Sequence, residues 1–135
     1  MDLTHIEHIG IAVKDLDKSI KFYEEMLGLK CYAIEEVKDQ KVKTAFFKIG
    51  QTKLELLEST ASDGAIAKFI EKRGEGVHHI SFAVKNLDST VIELQRKNIR
   101  LIDHAPRKGA EEFNIAFIHP ESTLGVLIEL CEKSS

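Results

Sequence analysis

The chain repeats itself. His8-Ile9-Gly10-Ile11-Ala12-Val13-Lys14-Asp15-Leu16-Asp17 returns 71 positions later as His79-Ile80-Ser81-Phe82-Ala83-Val84-Lys85-Asn86-Leu87-Asp88, with seven of the ten residues identical. A second echo, Leu54-Glu55-Leu56-Leu57-Glu58 and Ile128-Glu129-Leu130-Cys131-Glu132, lies 74 positions apart. The change in offset is an insertion of about three residues in a loop of the second half, where length changes are tolerated. Each half therefore opens on a histidine and closes on a glutamate, which implies duplication of one supersecondary unit.

Within a half, the period of the pattern gives the element order. His8 to Val13 alternates His8, Gly10 and Ala12 with Ile9, Ile11 and Val13, as a strand with one core face does. Asp15 and Asp17 then offer caps for a helix carrying Ile20, Tyr23 and Leu27, which Gly28 stops. Strands follow over Lys30–Val37, Val42–Ile49 and Lys53–Leu57. The second half repeats this order with a strand over His79–Val84 and a helix opened by Asp88 carrying Leu87, Val91 and Leu94. Its remaining strands are expected over Ile99–His104, Asn114–Ile118 and Gly125–Cys131. A short helix over Gly64–Lys72, with Ile66, Phe69 and Ile70 on one face, joins the halves. The expectation is an α+β chain of two tandem βαβββ modules, about 5–59 and 76–132, linked by a helix at about 62–74 within one domain, 1–135.

Parity then places the glutamates. Side chains alternate along a strand, so Leu54 and Leu56 in one half, and Val126, Ile128 and Leu130 in the other, form the apolar set. Glu55 and Glu129 point the other way, to the small-residue face of His8 and His79. A carboxylate in a half-buried strand is costly to desolvate unless paired or metal-bound, and its occurrence at matching positions in both halves requires one cause. A single strand histidine is ordinarily a hydrogen-bonded core residue. Two imidazoles and two carboxylates on matching faces instead suggest a divalent ion held by His8, Glu55, His79 and Glu129, with two positions left open in an octahedron.

Composition narrows the partners. Nineteen basic against twenty-two acidic residues give a net charge of −3, which suggests neither nucleic acid nor an anionic membrane. No apolar run reaches the roughly 20 residues of a membrane span, and MDLTHIEH lacks a secretory pattern. A cytoplasmic location is expected. Cys31 and Cys131 form no close-spaced pair and are read as small apolar fillers in a reducing compartment.

Five stretches carry a resemblance: His8–Val13, Thr52–Leu57, Gly76-Val77-His78-His79-Ile80, Ala116-Phe117-Ile118-His119-Pro120 and Gly125–Leu130. Through them nearly the whole chain resembles the vicinal oxygen chelate superfamily, which includes glyoxalase I, extradiol dioxygenases and bleomycin-resistance proteins. Within it the chain is most similar to methylmalonyl-CoA epimerases. The resemblance implies a cupped eight-stranded mixed sheet and metal ligands at His8, His79, Glu129 and Glu55. It also implies a divalent ion, with cobalt favoured over zinc, nickel or manganese, and an acyl-CoA substrate. Some epimerases carry an acid where this chain has Thr44, so the second base is left open. Relatives of this architecture often dimerise, and a homodimer is expected.

The chemistry so implied is isomerisation of methylmalonyl-CoA by removal and return of its α-proton through a metal-stabilised enolate. Inversion needs two acid/base groups flanking one carbon; Glu129 is the leading base and Glu55 the weaker second candidate. A lactoylglutathione lyase (glyoxalase I) would use the same ligands, and a non-catalytic binding protein would use the fold without them. An extradiol dioxygenase fits less well, since a fourth protein ligand blocks a coordination position. Arg107 and Lys108 are candidate contacts for a CoA phosphate or substrate carboxylate. His78 is expected on the helix side, His119-Pro120 in a turn, and His5 and His104 at the surface.

Overall fold

The computed structural model describes all 135 residues. The chain divides into two compact units, one of His8–His78, the other of Met1–Glu7 with His79–Ser135. Eight strands form one mixed sheet in the order β2-β3-β4-β1-β5-β8-β7-β6, and three α-helices accompany it. This is the paired βαβββ arrangement that the repeat predicts.

In the first unit, the His8–Ala12 stretch of β1 (Leu3–Ala12) runs parallel to β4 (Thr52–Ser59), while β3 (Val42–Ile49) pairs antiparallel with both β4 and β2 (Ala33–Val37). Between β1 and β2 lies α1 (Leu16–Leu27). Asp15 caps it, its side chain accepting from the Lys18 amide, and Gly28 ends it in the left-handed conformation at φ 66°, which a side chain would strain. Ile20 and Tyr23 pack with Leu16, Phe47, Ala45 and Leu56 on one face of the sheet. Leu27, expected in that stripe, is 59% exposed; the buried face of α1 begins at Leu16, and Leu27 lies on its rim one residue before the cap. The connecting helix α2 (Ala65–Arg73) turns Ile66, Phe69 and Ile70 onto Ala12, Val42 and Leu57.

In the second unit, β5 (Gly76–Val84) runs parallel to β8 (Ile128–Lys133), which pairs antiparallel with β7 (Phe113–Ile118). Helix α3 (Leu87–Arg96) buries Leu87, Val91 and Leu94 against Val84, Ala116 and Leu130. Its cap is Asn86, which accepts from the Ser89 amide at 3.0 Å, rather than the expected Asp88, which lies inside the first turn.

The strand expected over Ile99–His104 is absent: that segment makes only an isolated bridge, Leu101 with Ile118. The sixth strand is instead β6, the two residues Arg107–Lys108, in a stretch read as loop. Asp103 takes part of the ladder's place, its Oδ2 accepting from the Phe117 amide at 2.8 Å. A side-chain acceptor substitutes for a strand carbonyl, which period-two reasoning cannot register. Likewise β8 begins at Ile128, and Val126 is 45% exposed outside it. No helix is long and apolar enough to cross a membrane.

Candidate metal centre

Register fixes which residues share a face. In the first unit Gly10 pairs with Glu55, Glu55 with Phe46, and His8 with Lys53. Residues directly paired across strands point the same way, so His8 and Glu55 lie on the face opposite the α1 core. His8 Nδ1 is 3.1 Å from Glu55 Oε2, and each residue is 6% exposed. The other face receives Leu54 and Leu56, the apolar partners that hold the strand in this register.

The second unit repeats the arrangement. Ser81 pairs with Glu129, and Glu129 with Phe117. His79 Nε2 lies 3.8 Å from Glu129 Oε1, with the residues 6% and 4% exposed. The Phe117 ring meets His79 edge-on at 5.5 Å between centroids, which limits the tilt of the imidazole.

His8, His79 and Glu129 make up one group of potential metal ligands, and Glu7, His8 and Glu55 another. The donor chemistry fits a divalent first-row ion: imidazole nitrogen and carboxylate oxygen suit cobalt, zinc, nickel or manganese. Burial favours occupancy too, because charged carboxylates held away from water gain most from a cation.

The two basic residues singled out by sequence separate here. Arg107 pairs with Ile115 and so shares the face of Phe117 and Glu129. Its guanidinium carbon stands 5.8 Å from the Phe117 ring centroid, and its Nε lies 2.8 Å from Asp103 Oδ1. Lys108 points to the opposite face and is exposed. His78 packs edge-on against Phe69 of α2 at 5.0 Å, and burial lowers its pKa from 6.5 to about 4. His119 caps a short 3₁₀ turn, its Nδ1 accepting from the Glu121 amide at 3.0 Å. His5 contacts the Thr4 hydroxyl through Nδ1 at 3.0 Å, and His104 is exposed. Cys131 is buried, and the Ser81 hydroxyl donates to its Sγ at 3.2 Å, so it is more than a filler.

A second function of the closing motif escaped the sequence reading. Glu58 Oε1 accepts from the Leu16 amide at 2.7 Å, and Glu132 Oε1 accepts from the Leu87 amide at 3.0 Å. Each strand thus turns one glutamate to the ligand face and, three residues on, another to the first turn of its own unit's helix. That second glutamate satisfies an amide the helix cannot pair internally. The signal was present in the doubled Glu-x-x-Glu spacing.

A model of the glyoxalase/bleomycin resistance protein/dioxygenase superfamily matches residues 7–117. The chain belongs to this superfamily. It is 35% identical to human mitochondrial methylmalonyl-CoA epimerase over 130 residues, covering 96% of this chain and 74% of that protein. The uncharacterized Bacillus subtilis protein YqjC is 45% identical, covering 96% of this chain and 93% of that one. Among solved structures, a Streptomyces coelicolor methylmalonyl-CoA epimerase variant in complex with 2-nitronate-propionyl-CoA superposes with a TM-score of 0.96. That pair is 38% identical and covers 99% of this chain and 97% of the other. The superfamily's eight-stranded mixed sheet is therefore the fold of this chain.

Proposed function

We propose that the protein is a divalent-metal-dependent methylmalonyl-CoA epimerase in which His8, Glu55, His79 and Glu129 hold one ion. The observation that carries the reading is the doubled, buried histidine–glutamate pair, in a chain whose relatives include methylmalonyl-CoA epimerases. Each pair alone offers two ligands, fewer than a first-row ion takes, and the two chemically equivalent pairs together offer four. When bound, the ion supplies Lewis-acid stabilisation of the negative charge that develops on loss of an α-proton.

The protein's own groups do the rest. Glu129 takes the α-proton on one side, at the end of a strand held by Leu130 in the second unit's core. A carboxylate engaged by a cation is a weaker base than a free one, so Glu129 would serve as the base only while its carboxylate is not held by the ion. Glu55, its repeat counterpart, is the corresponding candidate for the opposite side. Arg107, fixed by Asp103 and stacked on Phe117, offers a positive charge to the anionic substrate on the same face as Glu129.

The test is to load the purified protein with cobalt and follow α-proton exchange and inversion of methylmalonyl-CoA in deuterated water. A methylglyoxal–glutathione assay runs beside it. Exchange and inversion of the thioester without lactoylglutathione formation is the expected outcome; the reverse pattern makes it a lactoylglutathione lyase. Neither activity, with the ion bound, makes it a binding protein.

A further inference from the structure

On the α1 side of the first unit, away from the face of His8 and Glu55, the surface holds a cavity of about 520 Å³. That volume falls in the range of small-molecule sites. It lies where the end of β1, the first two turns of α1 and the linker before β5 meet, all within His8–His78. Ile11, Val13 and Tyr23, members of the α1 core, give it apolar lining together with Phe22, which leaves 54% of its surface to water. The Tyr23 ring contacts Phe22 edge-on at 5.4 Å and Phe47 at 6.0 Å between centroids, so the aromatic wall is fixed before a ligand arrives.

The charged groups around the cavity differ in what they already hold. Glu75 Oε2 accepts from the Lys14 amide at 2.8 Å, and Asp15 Oδ1 accepts from the Lys18 amide at 3.1 Å, so both carboxylates serve the backbone. The α1 amides of Leu16 and Ser19 are also taken, by Glu58 and by the Asp15 carbonyl. The ammonium groups of Lys14 and Lys18 are exposed and have no partner within the chain. Two uncommitted positive charges therefore stand beside an exposed aromatic ring. The duplicated scaffold does not require this combination, because the repeat puts Ser89 and Glu93 at the positions of Lys18 and Phe22.

We propose that this cavity binds a small organic anion with a flat apolar body, of the class of aromatic carboxylates and aryl phosphates. Lys14 and Lys18 take the anionic group through charge-assisted hydrogen bonds, and Phe22 and Tyr23 take the flat body. The site lies on the sheet face away from His8 and Glu55, so its occupancy is measured without reference to the reaction proposed above.

The experiment titrates the full chain with phenyl phosphate and follows the backbone amides by nitrogen-resolved NMR, with inorganic phosphate and benzylamine run beside it. Saturable shifts are expected at the amides lining the cavity, among them Lys14, Lys18, Ser19 and Glu75. Inorganic phosphate, which lacks the flat body, should bind about tenfold more weakly or worse, and benzylamine, of opposite charge, should not bind. The double variant Lys14→Gln with Lys18→Gln, and separately Phe22→Ala, should each weaken phenyl phosphate by about tenfold or more. All three side chains are exposed, so these variants keep the fold. Lys21→Gln, beside Phe22 in sequence but outside the cavity and paired with Glu25, should leave the affinity unchanged. Absence of saturable shifts at the lining amides overturns the proposal. So does binding of benzylamine or inorganic phosphate as tight as that of phenyl phosphate, or an equal loss of affinity in Lys21→Gln.

Discussion

His8 Nδ1 sits 3.1 Å from Glu55 Oε2, with both side chains almost wholly removed from solvent. The contact joins the opening strand of the first unit to its closing strand, and a cation coordinated there would be shared by both ends of the repeat.

Metal removal is therefore expected to act on stability as well as activity. Chelation should abolish α-proton exchange, and added cobalt should restore it. A ligand at 100 times its dissociation constant stabilises the native state by about 2.7 kcal/mol, so thermal scans of apo and cobalt-loaded protein should separate by several degrees. Coincident curves would count against a bound ion.

Replacing one member of a pair should weaken the site more than replacing a neighbour. His8→Ala and Glu129→Gln are expected to lower cobalt affinity by more than the about 10–100-fold typical of second-sphere changes, as read by calorimetric titration. Normal metal content with unchanged epimerase rate in Glu129→Gln would remove that residue from the mechanism.

The helix-capping glutamates should behave in the opposite way. Glu58→Ala and Glu132→Ala each remove an acceptor from a first-turn amide, Leu16 or Leu87. Each is expected to lower stability by about 1–2 kcal/mol with metal affinity unchanged. Denaturant midpoints beside cobalt titrations check both halves of the statement.

Arg107→Leu should raise KM for the thioester by about tenfold or more, the worth of one charge-assisted contact, with a smaller change in kcat. Lys108→Ala, on the other face, should leave both constants unchanged. Equal effects of the two substitutions would show that the segment acts only as a diffuse positive field.

His78 makes stability depend on acidity. Burial against Phe69 holds its folded pKa at about 4 against 6.5 for the free side chain. Between these values the unfolded chain binds a proton that the folded chain excludes, so this contribution is complete above pH 6.5 and is lost as pH falls toward 4. In the metal-free protein, His78→Phe should flatten that part of the urea-denaturation profile. An unchanged pH slope would place the sensitivity elsewhere.

The elements most legible in the sequence are those with a strong period. Strand β3 coincides with the expected Val42–Ile49, and α3 buries the expected Leu87, Val91 and Leu94. The faces of His8, Glu55, His79 and Glu129 also follow from parity, because a slip of one residue would turn Leu54, Leu56 and Leu130 to the wrong side. Where the period is weak the reading fails. The two-residue β6 and the bridge at Leu101 depend on Asp103, whose carboxylate pairs with a backbone amide and with Arg107 at once. Asn86 rather than Asp88 caps α3 because the cap is set by backbone conformation, and both residues have side chains able to serve.

By itself, then, the sequence determined the duplicated unit, its strand faces and the residue types on each. Alternation and repetition are local properties written one residue at a time. Only the tertiary structure decided that Glu58 and Glu132 tie their strands to α1 and α3, and that Arg107 and Lys108 part to opposite faces. Those relationships depend on which strands become neighbours and in what register, and distant segments acquire a register only when the whole sheet forms.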